Sequence, residues 1–250
     1  MTTPAAIARS VAIYWGDARR RAALDRWYAR FVRPGRLALD VGAHVGDRTA
    51  CFRRLGARVV AVEPQPALAR FLRRRFGADP AVALVAQAVG ARPGRVMLHV
   101  NDANPTVSTA SVAFLRAAEG APGWQGQRWT RRLTVPATTL AALIDRHGVP
   151  DFIKIDVEGL EAEVLAGLRQ PVAALSFEFT TIQRDVAEAA LARLAALGYR
   201  AFNASLGESL RFALPAPVDA RSMQDWIAAL PIAANSGDVY ASLTPRALAR

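Results

Sequence analysis

The sequence predicts an α/β fold in which a mostly parallel sheet with an antiparallel edge carries helices on both faces. Short apolar runs alternate with stretches of helical periodicity, as in parallel strands joined by helices. The last apolar runs follow one another without long helices between them, which is typical of an antiparallel edge. No linker divides the chain, so we expect a single domain over residues 36–250 and a basic helical lead-in over residues 1–35.

The lead-in is expected to be a helix packed on the domain. Leu24, Trp27, Tyr28 and Phe31 are spaced i, i+3, i+4, i+7, which places them on one helix face, and arginines decorate the remainder. A lid over a site and a surface-binding helix are the alternatives. Packing is the favoured interpretation.

Two strand–helix pairs follow. Residues 37–41 are an apolar run that ends at a glycine, and a helix continues to about residue 55. Residues 58–62 are a β-branched run that ends in an acidic residue and a proline, and residues 66–76 have helical periodicity.

The middle of the chain changes character after two more strands. Residues 82–89 and 95–100 have the pattern of strands, whereas residues 101–131 are irregular and contain several Pro and Gly together with Trp124 and Trp129. A structureless stretch of this length in a compact domain is usually functional or mobile. We therefore interpret residues 101–131 as a mobile substrate loop.

The second half repeats the alternation of strands and helices. We predict strands over residues 152–157 and 174–179, and helices over residues 160–168 and 185–197. The late strands are predicted over residues 199–203, 210–214 and 238–243.

Length and composition exclude several classes of protein. A chain of 250 residues with 52% hydrophobic residues can build a sizeable core and is not disordered. Its single cysteine, Cys51, excludes an intrachain disulfide framework and a cysteine-based zinc cluster. No apolar run approaches the roughly 18 residues that span a bilayer, and the N-terminus lacks a signal-peptide pattern. We expect a cytoplasmic protein.

The net charge of +11 is confined to the start of the chain. Residues 1–100 hold 18 Arg against 6 acidic residues, whereas residues 101–250 hold 14 basic against 15 acidic residues. Because 31 of the 32 basic residues are Arg, a GC-rich genome explains the excess better than a dedicated polyanion site. A weak contact between the N-terminal helix and an anionic surface stays open.

The end of the first strand has the features of a ligand loop. Gly42 and Gly46 allow a tight turn and close approach of a ligand, and the next helix offers free N–H groups. Asp40 lies at the strand end, and Glu63 ends the second strand 21 residues after Gly42, where a carboxylate can accept hydrogen bonds from ribose hydroxyls.

The loop favours an adenosyl ligand without phosphate. A dinucleotide fingerprint requires a second glycine where this chain has His44, and Asp40 would repel a pyrophosphate. A carboxylate there suits an ammonium group. S-adenosylmethionine combines an amino-acid end, a sulfonium, a ribose and an adenine, and it is the predicted cofactor.

Lys154 is the only lysine of the chain. Because arginine is used everywhere else, this exception indicates a site that fits a compact ammonium and not a guanidinium. Strand alternation places Lys154 on the same face as Asp156. Glu178 lies between two phenylalanines of the next strand, and Lys154 is one candidate partner for its carboxylate.

Three carboxylates are expected to meet where these strands end. Asp156, Glu158 and Glu178 could bind a divalent cation such as Mg²⁺ or act as a general base. The structural alternative is that Asp156 and Glu158 cap the N–H groups at the start of the next helix.

Two segments resemble the FkbM family of S-adenosylmethionine-dependent methyltransferases. They are residues 39–46 (LDVGAHVG) and 152–159 (FIKIDVEG), the second followed by Glu161, and the similarity extends over about residues 37–180. The resemblance implies a class I Rossmann-like methyltransferase fold and methyl transfer to oxygen. Family substrates include hydroxyls of natural products and sugars, so we expect a small-molecule or glycan acceptor.

The resemblance also implies roles for individual residues. It places Asp40, Gly42 and Gly46 at the methionine end of the cofactor, with His44 where the family often has Asn. It makes Glu63 the carboxylate that binds the ribose hydroxyls, and it places Gln87 near the adenine. Asp156 and Glu158, with Lys154, are the candidate catalytic residues, because an alcohol needs a base or a metal to become a nucleophile. His99 and His147 are rival bases.

Other classes of function remain as alternatives. A nucleic-acid methyltransferase, RNA being the favoured target, would use the basic N-terminal region, but the Asp/Asn-Pro-Pro-aromatic turn of base methylation is absent and Cys51 lies away from a nucleophile motif. A non-catalytic adenosyl-binding module would lack the acidic cluster. An NAD oxidoreductase is disfavoured because His44 replaces the second glycine of the dinucleotide fingerprint.

Overall fold

A seven-stranded sheet runs through the centre of the protein in the computed structural model, which describes residues 4–249. Residues 1–3 of the predicted lead-in and residue 250 of the predicted domain lie outside the described residues. The sheet contains β1 (Leu37–Val41), β2 (Arg58–Val62), β3 (Val82–Val85), β7 (Phe152–Ile155), β8 (Ala174–Thr180), β9 (Ala201–Leu206) and β10 (Ser236–Ser242).

The strand order is β3-β2-β1-β7-β8-β10-β9. The first five strands are parallel, whereas β10 is antiparallel to both β8 and β9. The mostly parallel α/β sheet predicted from the sequence is therefore confirmed. The antiparallel strand lies one position in from the edge, so it is hydrogen-bonded on both sides.

A second, three-stranded sheet has the order β4-β6-β5 and was not predicted. It consists of β4 (Ala88–Val89), β5 (Gly94–Val100) and β6 (Arg131–Thr138). The predicted strand over residues 82–89 is thereby divided, because β3 pairs with β2 of the large sheet and β4 pairs with β6 of the small one.

Helices cover both faces of the large sheet. They are α1 (Pro4–Trp15), α2 (Ala18–Tyr28), α3 (Asp47–Arg54), α4 (Pro66–Phe76), α5 (Val112–Ala118), α6 (Leu140–His147), α7 (Glu161–Ala166), α8 (Arg184–Ala196) and α9 (Ala220–Ala229), with 3₁₀ turns at Pro105–Val107, Ile232–Ala234 and Pro245–Leu248. Among the described residues, no helix combines the length and the apolarity needed to cross a bilayer.

The apolar face of the lead-in packs as the spacing predicted. Leu24, Trp27, Tyr28 and Phe31 are all buried, and they join one core with residues of β1, α3 and β7. The stacked rings of Phe31 and Phe152 lie 5.0 Å apart. The other core lies between the sheet and the helices α6–α9.

Two expectations in the irregular regions were wrong. Residues 101–131 contain the short helix α5 in addition to a 3₁₀ turn, and they end at β6. Residues 210–214 form no strand. Phe212 is buried against Trp27, with ring centroids 4.7 Å apart, so its apolar character serves packing on α2.

The position of the site follows from the strand order. β1 lies between β2 and β7, so the chain leaves β1 in one direction and later returns on its other side. Ligands of open α/β sheets bind outside the carboxyl ends of the strands at such a switch point.

Candidate active site

A cavity of about 330 Å³ opens at the carboxyl ends of the central strands. Nine of the ten predicted site residues line it: Asp40, Gly42, His44, Glu63, Gln87, Lys154, Asp156, Glu158 and Glu178. The tenth, Gly46, is not among its lining residues. The cavity is therefore shared by the residues predicted for the cofactor and those predicted for catalysis.

Gly42 and Gly46 are both required, for different reasons. Each has a positive φ, of 85° and 76°, which disfavours any side chain. A Cβ on Gly42 would collide with the backbone oxygen of Asp156, whereas a Cβ on Gly46 would lie 2.6 Å from the ring of Phe76. Gly42 thus lets the loop after β1 meet the loop after β7, and Gly46 lets α3 begin against α4.

Glu63 is held at the end of β2 by two backbone amides. Its Oε2 accepts a hydrogen bond from the His44 amide at 2.9 Å, and its Oε1 accepts one from the Gln65 amide at 2.8 Å. Burial raises the pKa of this carboxyl to about 7, against the effect of the two amides. Each carboxyl oxygen retains a lone pair for a ligand hydroxyl.

Asp40 and His44 form the wall beside Gly42. The Thr49 hydroxyl donates to Asp40 Oδ2 at 2.6 Å, and burial raises the pKa of Asp40 to about 6. Burial lowers the pKa of His44 to about 4, so its ring is neutral at physiological pH. Its Nε2 lies 3.4 Å from the Thr106 hydroxyl.

Gln87 lines the cavity in the gap between β3 and β4. Its neighbour across the cavity, Gln65, was missed by the sequence reasoning. Gln65 donates from Nε2 to the Pro105 carbonyl at 3.0 Å, while its buried Oε1 has no hydrogen-bond partner among the described residues. That oxygen is available to a donor on a ligand.

Lys154 is buried between two carboxylates. Its Nζ lies 2.8 Å from Asp238 Oδ1 and 3.2 Å from Asp156 Oδ2. Lys154 was one candidate partner for Glu178, but its ion pairs among the described residues are with Asp156 and Asp238. Burial disfavours the ammonium, but the two carboxylates outweigh it and keep the pKa of Lys154 well above its usual value.

Asp156, Glu158 and Glu178 are brought together as the sequence predicted. One carboxylate oxygen from each lies within 4.8 Å of the others. The Glu178 Oε2 is buried without a hydrogen-bond partner, and Glu158 is only 6% exposed. Neither Asp156 nor Glu158 caps α7, whose N-cap residue Leu160 makes no side-chain cap hydrogen bond. Glu161 instead fixes the turn before the helix by accepting hydrogen bonds from the Val157 and Gly159 amides at 3.1 Å.

The three carboxyls titrate differently. Burial opposes ionisation of Asp156, but the Lys154 ammonium holds its pKa below the usual range. Burial, and then the charge of Asp156, raises the pKa of Glu158 and of Glu178 well above the ordinary value. Asp156 therefore carries the charge, while its two neighbours retain protons.

Arg48 and Glu208 complete the rim and were not predicted. Arg48 forms a bidentate pair with Glu208 at 2.7 and 2.9 Å, and it also contacts Asp47 at 2.5 Å. Arg20 adds bonds to Asp47 and Glu208 at 3.0 and 3.1 Å. Because Arg48 is separated from Glu208 by 160 residues, no local spacing indicated this network.

Residues 101–131 contribute one wall of the cavity. Trp124 lines it, and the Trp124 ring packs edge-on against Phe114 at 4.9 Å. Trp129 also packs on Phe114, and its indole donates to the Val107 carbonyl at 2.7 Å. His99 and His147 do not line the cavity.

Comparison with known protein families identifies the family of the chain. The sequence profile described as the methyltransferase FkbM domain matches residues 40–201. A search of curated protein sequences gives no match.

Several solved structures are similar over most of the chain. The precorrin-6y C5,15-methyltransferase of Geobacter metallireducens is 13% identical, with 90% of this chain and 87% of that one covered and a TM-score of 0.45. The TehB-like S-adenosylmethionine-dependent methyltransferase of Corynebacterium glutamicum is 12% identical, with 94% and 92% covered and a TM-score of 0.46. Aeropyrum pernix fibrillarin in complex with S-adenosylmethionine is 11% identical, with 86% and 76% covered and a TM-score of 0.41.

Proposed function

The chain belongs to the FkbM family of S-adenosylmethionine-dependent methyltransferases, and from that premise we propose that it methylates a hydroxyl oxygen of a small molecule or a glycan. Its fold is the class I Rossmann-like fold, and its cofactor is S-adenosylmethionine. The observation that carries the proposal is the carboxyl cluster of Asp156, Glu158 and Glu178, which shares one cavity with the cofactor loop.

We assign the cofactor to the end of the cavity near β1 and β2. Asp40 and the backbone around Gly42 and His44 receive the methionine end, and Glu63 accepts the ribose hydroxyls. Gln87 lies near the adenine, on the far side of Glu63 from the carboxyl cluster. Gly46 acts indirectly, because it sets the start of α3 and does not line the cavity.

The charge at the other end of the cavity favours an acceptor without anionic groups. Lys154 is already paired with Asp156 and Asp238, and Arg48 is paired at the rim. The charged carboxylate at this end is Asp156, and it already shares the Lys154 ammonium with Asp238. A phosphate or carboxylate next to the reacting hydroxyl would meet this carboxylate without a free cation among the described lining residues, which supports a neutral polyol or similar acceptor over the phosphodiester chain of RNA.

The chemistry requires an acceptor oxygen aligned with the sulfonium methyl and a group that takes its proton. In the proposed mechanism, ionised Asp156 accepts a hydrogen bond from the hydroxyl and orients it. Glu158 is the general base, because burial and the charge of Asp156 raise its pKa, so that its ionised form takes a proton more readily than an ordinary carboxylate. Lys154 is a positioning residue that keeps Asp156 charged and fixed.

The same three carboxyls have the oxygen donors that a hard divalent cation such as Mg²⁺ prefers. The buried Glu178 Oε2, which has no hydrogen-bond partner among the described residues, and the approach of the three carboxylates to within 4.8 Å fit such an ion. Asp156, Glu158 and Glu178 would hold it. When bound, the ion would polarise the acceptor oxygen and lower the pKa of its hydroxyl.

The test is a methyl-transfer assay with labelled S-adenosylmethionine over a panel of sugars, polyketides, glycolipids and RNA. We expect transfer to a hydroxyl-bearing small molecule or glycan, and a loss of at least about 100-fold in kcat for Glu158→Gln, as for removal of a general base. Glu163→Gln is the matched control, because Glu163 is an exposed acid of α7. Transfer to RNA alone would replace this proposal with the nucleic-acid alternative.

Chelation and metal titration separate the two roles of the cluster. If a cation is required, activity lost in EDTA returns with Mg²⁺, and Glu178→Gln weakens the metal dependence. Full activity in EDTA assigns the carboxyls to proton transfer alone. Failure of the parent protein to bind S-adenosylmethionine by calorimetry would contradict the assignment of the cofactor site.

A further inference from the structure

Helix α1 lies beside the cavity and is hydrogen-bonded to two of the segments that contribute to its lining. The Trp15 indole donates to the Val45 carbonyl in the loop after β1, at 3.1 Å. Arg9 donates to the Ala103 carbonyl in the segment that begins residues 101–131, at 3.2 Å. At the end of the helix, Arg20 donates to the Tyr14 carbonyl at 3.0 Å. The helix is therefore anchored to both segments.

One face of α1 points inward. Ala6 and Ser10 are buried at 2% and 5% exposure, and Tyr14 continues the same face four residues later. Tyr14 lines the cavity together with Gly42 and Glu63. In contrast, Ile13 is 60% exposed on the outer face of the helix. Tyr14 is thus the large side chain that α1 directs into the site.

The contacts of Tyr14 place it beside the residues assigned to the cofactor. Its ring meets the ring of His44 edge-on at 5.4 Å. Its hydroxyl is hydrogen-bonded to Thr106, and burial raises its pKa to about 12, so the phenol stays neutral. The amide of the same His44 donates to Glu63. A ligand that contacts Glu63 and Gly42 therefore lies close to the Tyr14 ring.

We propose that Tyr14 is a cofactor-binding residue and that α1 forms the outer wall of the S-adenosylmethionine site. This inference rests on the proposed cofactor site and adds a residue outside the family match at residues 40–201. The aromatic ring covers the ligand with apolar surface and excludes water from the reacting end. It also offers a π face that attracts a sulfonium cation.

Calorimetry with S-adenosylmethionine and S-adenosylhomocysteine tests the proposal on the full chain. Tyr14→Ala should weaken both ligands about tenfold, a loss of about 1.4 kcal/mol. Tyr14→Phe should stay within about threefold of the parent because it retains the ring. Ile13→Ala, on the outer face of the same helix, should bind like the parent protein.

Hydrogen exchange of the parent protein provides a second readout that does not depend on a variant. The amides of residues 4–15 should gain protection when S-adenosylhomocysteine binds, since the ligand then contacts the inner face of α1. Equal affinity of Tyr14→Ala and the parent, or unchanged exchange over α1, would overturn the proposal. Absence of binding by the parent would instead contradict the cofactor site itself.

Discussion

Glu63 shows how burial sets the state of a binding group. Burial raises the pKa of Glu63 to about 7, so the carboxyl is mostly protonated below that pH. The preference of the folded protein for protonated Glu63 contributes to stability. This contribution is complete below the ordinary pKa of a glutamate and is lost as the pH rises through about 7. Ribose hydroxyls need an acceptor, so the ionised form is the one that binds the cofactor best.

We therefore expect the affinity for S-adenosylhomocysteine to rise with pH through about 7. At pH 6 only about a tenth of the Glu63 carboxyls would be ionised, which weakens binding up to about tenfold relative to pH 8. Calorimetry at pH 6, 7 and 8 measures the slope. Glu63→Gln should bind weakly and with a smaller slope, the remainder coming from Asp40, whose pKa burial raises to about 6. Equal slopes in the variant and in the parent protein would contradict the role of Glu63.

Lys154 is the residue for which composition was most informative. Because it is the only lysine among 32 basic residues, the sequence predicted a site that fits an ammonium and not a guanidinium. In the structure, the ammonium lies 2.8 Å from Asp238 and 3.2 Å from Asp156. The partner Asp238 could not be predicted, because it is 84 residues away on a strand whose register the sequence does not show. Local alternation identified only the nearer carboxylate.

Removal of this ammonium should be costly. We expect Lys154→Met to lower the free energy of unfolding by about 2 kcal/mol, less than for a fully buried pair, because it leaves the half-buried Asp156 and Asp238 without a counter-charge. Urea unfolding measures the change. Adding Asp238→Asn should restore part of the loss, as a double-mutant cycle with the single Asp238→Asn variant would show. Loss of less than about 0.5 kcal/mol in Lys154→Met would contradict the importance of the pair.

At the level of elements, the clearest parts of the sheet were predictable residue for residue. Strands β1 and β2 and helix α4 have the predicted bounds, because buried parallel strands are continuous apolar runs with clear ends. Strand β6 was missed, although it has eight residues, because it begins at the end of the segment interpreted as a loop. Helix α9 was also missed, although Asp219 provides an N-cap that accepts a hydrogen bond from the Ser222 amide.

Helix α2 was predicted from its spacing, and its packing can be tested. We expect Trp27→Ala to destabilise the protein by about 3–5 kcal/mol, because the buried indole touches Phe31, Phe212 and Tyr240 and donates to the Tyr240 hydroxyl at 2.8 Å. Arg26→Ala, at the adjacent exposed position, should change stability by less than about 0.5 kcal/mol. Chemical unfolding compares the two, and equal effects would contradict packing of this face.

At the scale of the whole molecule, several arginines form ion pairs within the chain. Arg33 and Arg36 both pair with Asp151, and Arg54 pairs with Asp25. Arg20 and Arg48 bind the acidic rim of the cavity. These pairs leave the net charge of +11 unchanged, but they reduce the number of unpaired arginines that could contact a polyanion.

The proposed contact with an anionic surface should accordingly be weak. We expect binding to vesicles containing anionic lipid at low salt and its loss by about 0.3 M NaCl, because exposed charges are screened over a few ångströms there. Vesicle co-sedimentation over a salt series measures it, with neutral vesicles as the control. Binding that persists at 0.5 M NaCl would indicate a dedicated site.

The cavity also divides the chain into two regions with different freedom to change. Its cofactor end rests on β1 and β2, where Gly42 leaves no room for a side chain against the backbone of Asp156. Its other end is completed by Glu208 and by residues 235–238, which come from the last fifth of the chain and lie beyond the family match. On the proposed assignment of the site, we expect acceptor preference to change when this C-terminal portion is exchanged, provided that Asp238 and Glu208 are kept as partners of Lys154 and Arg48.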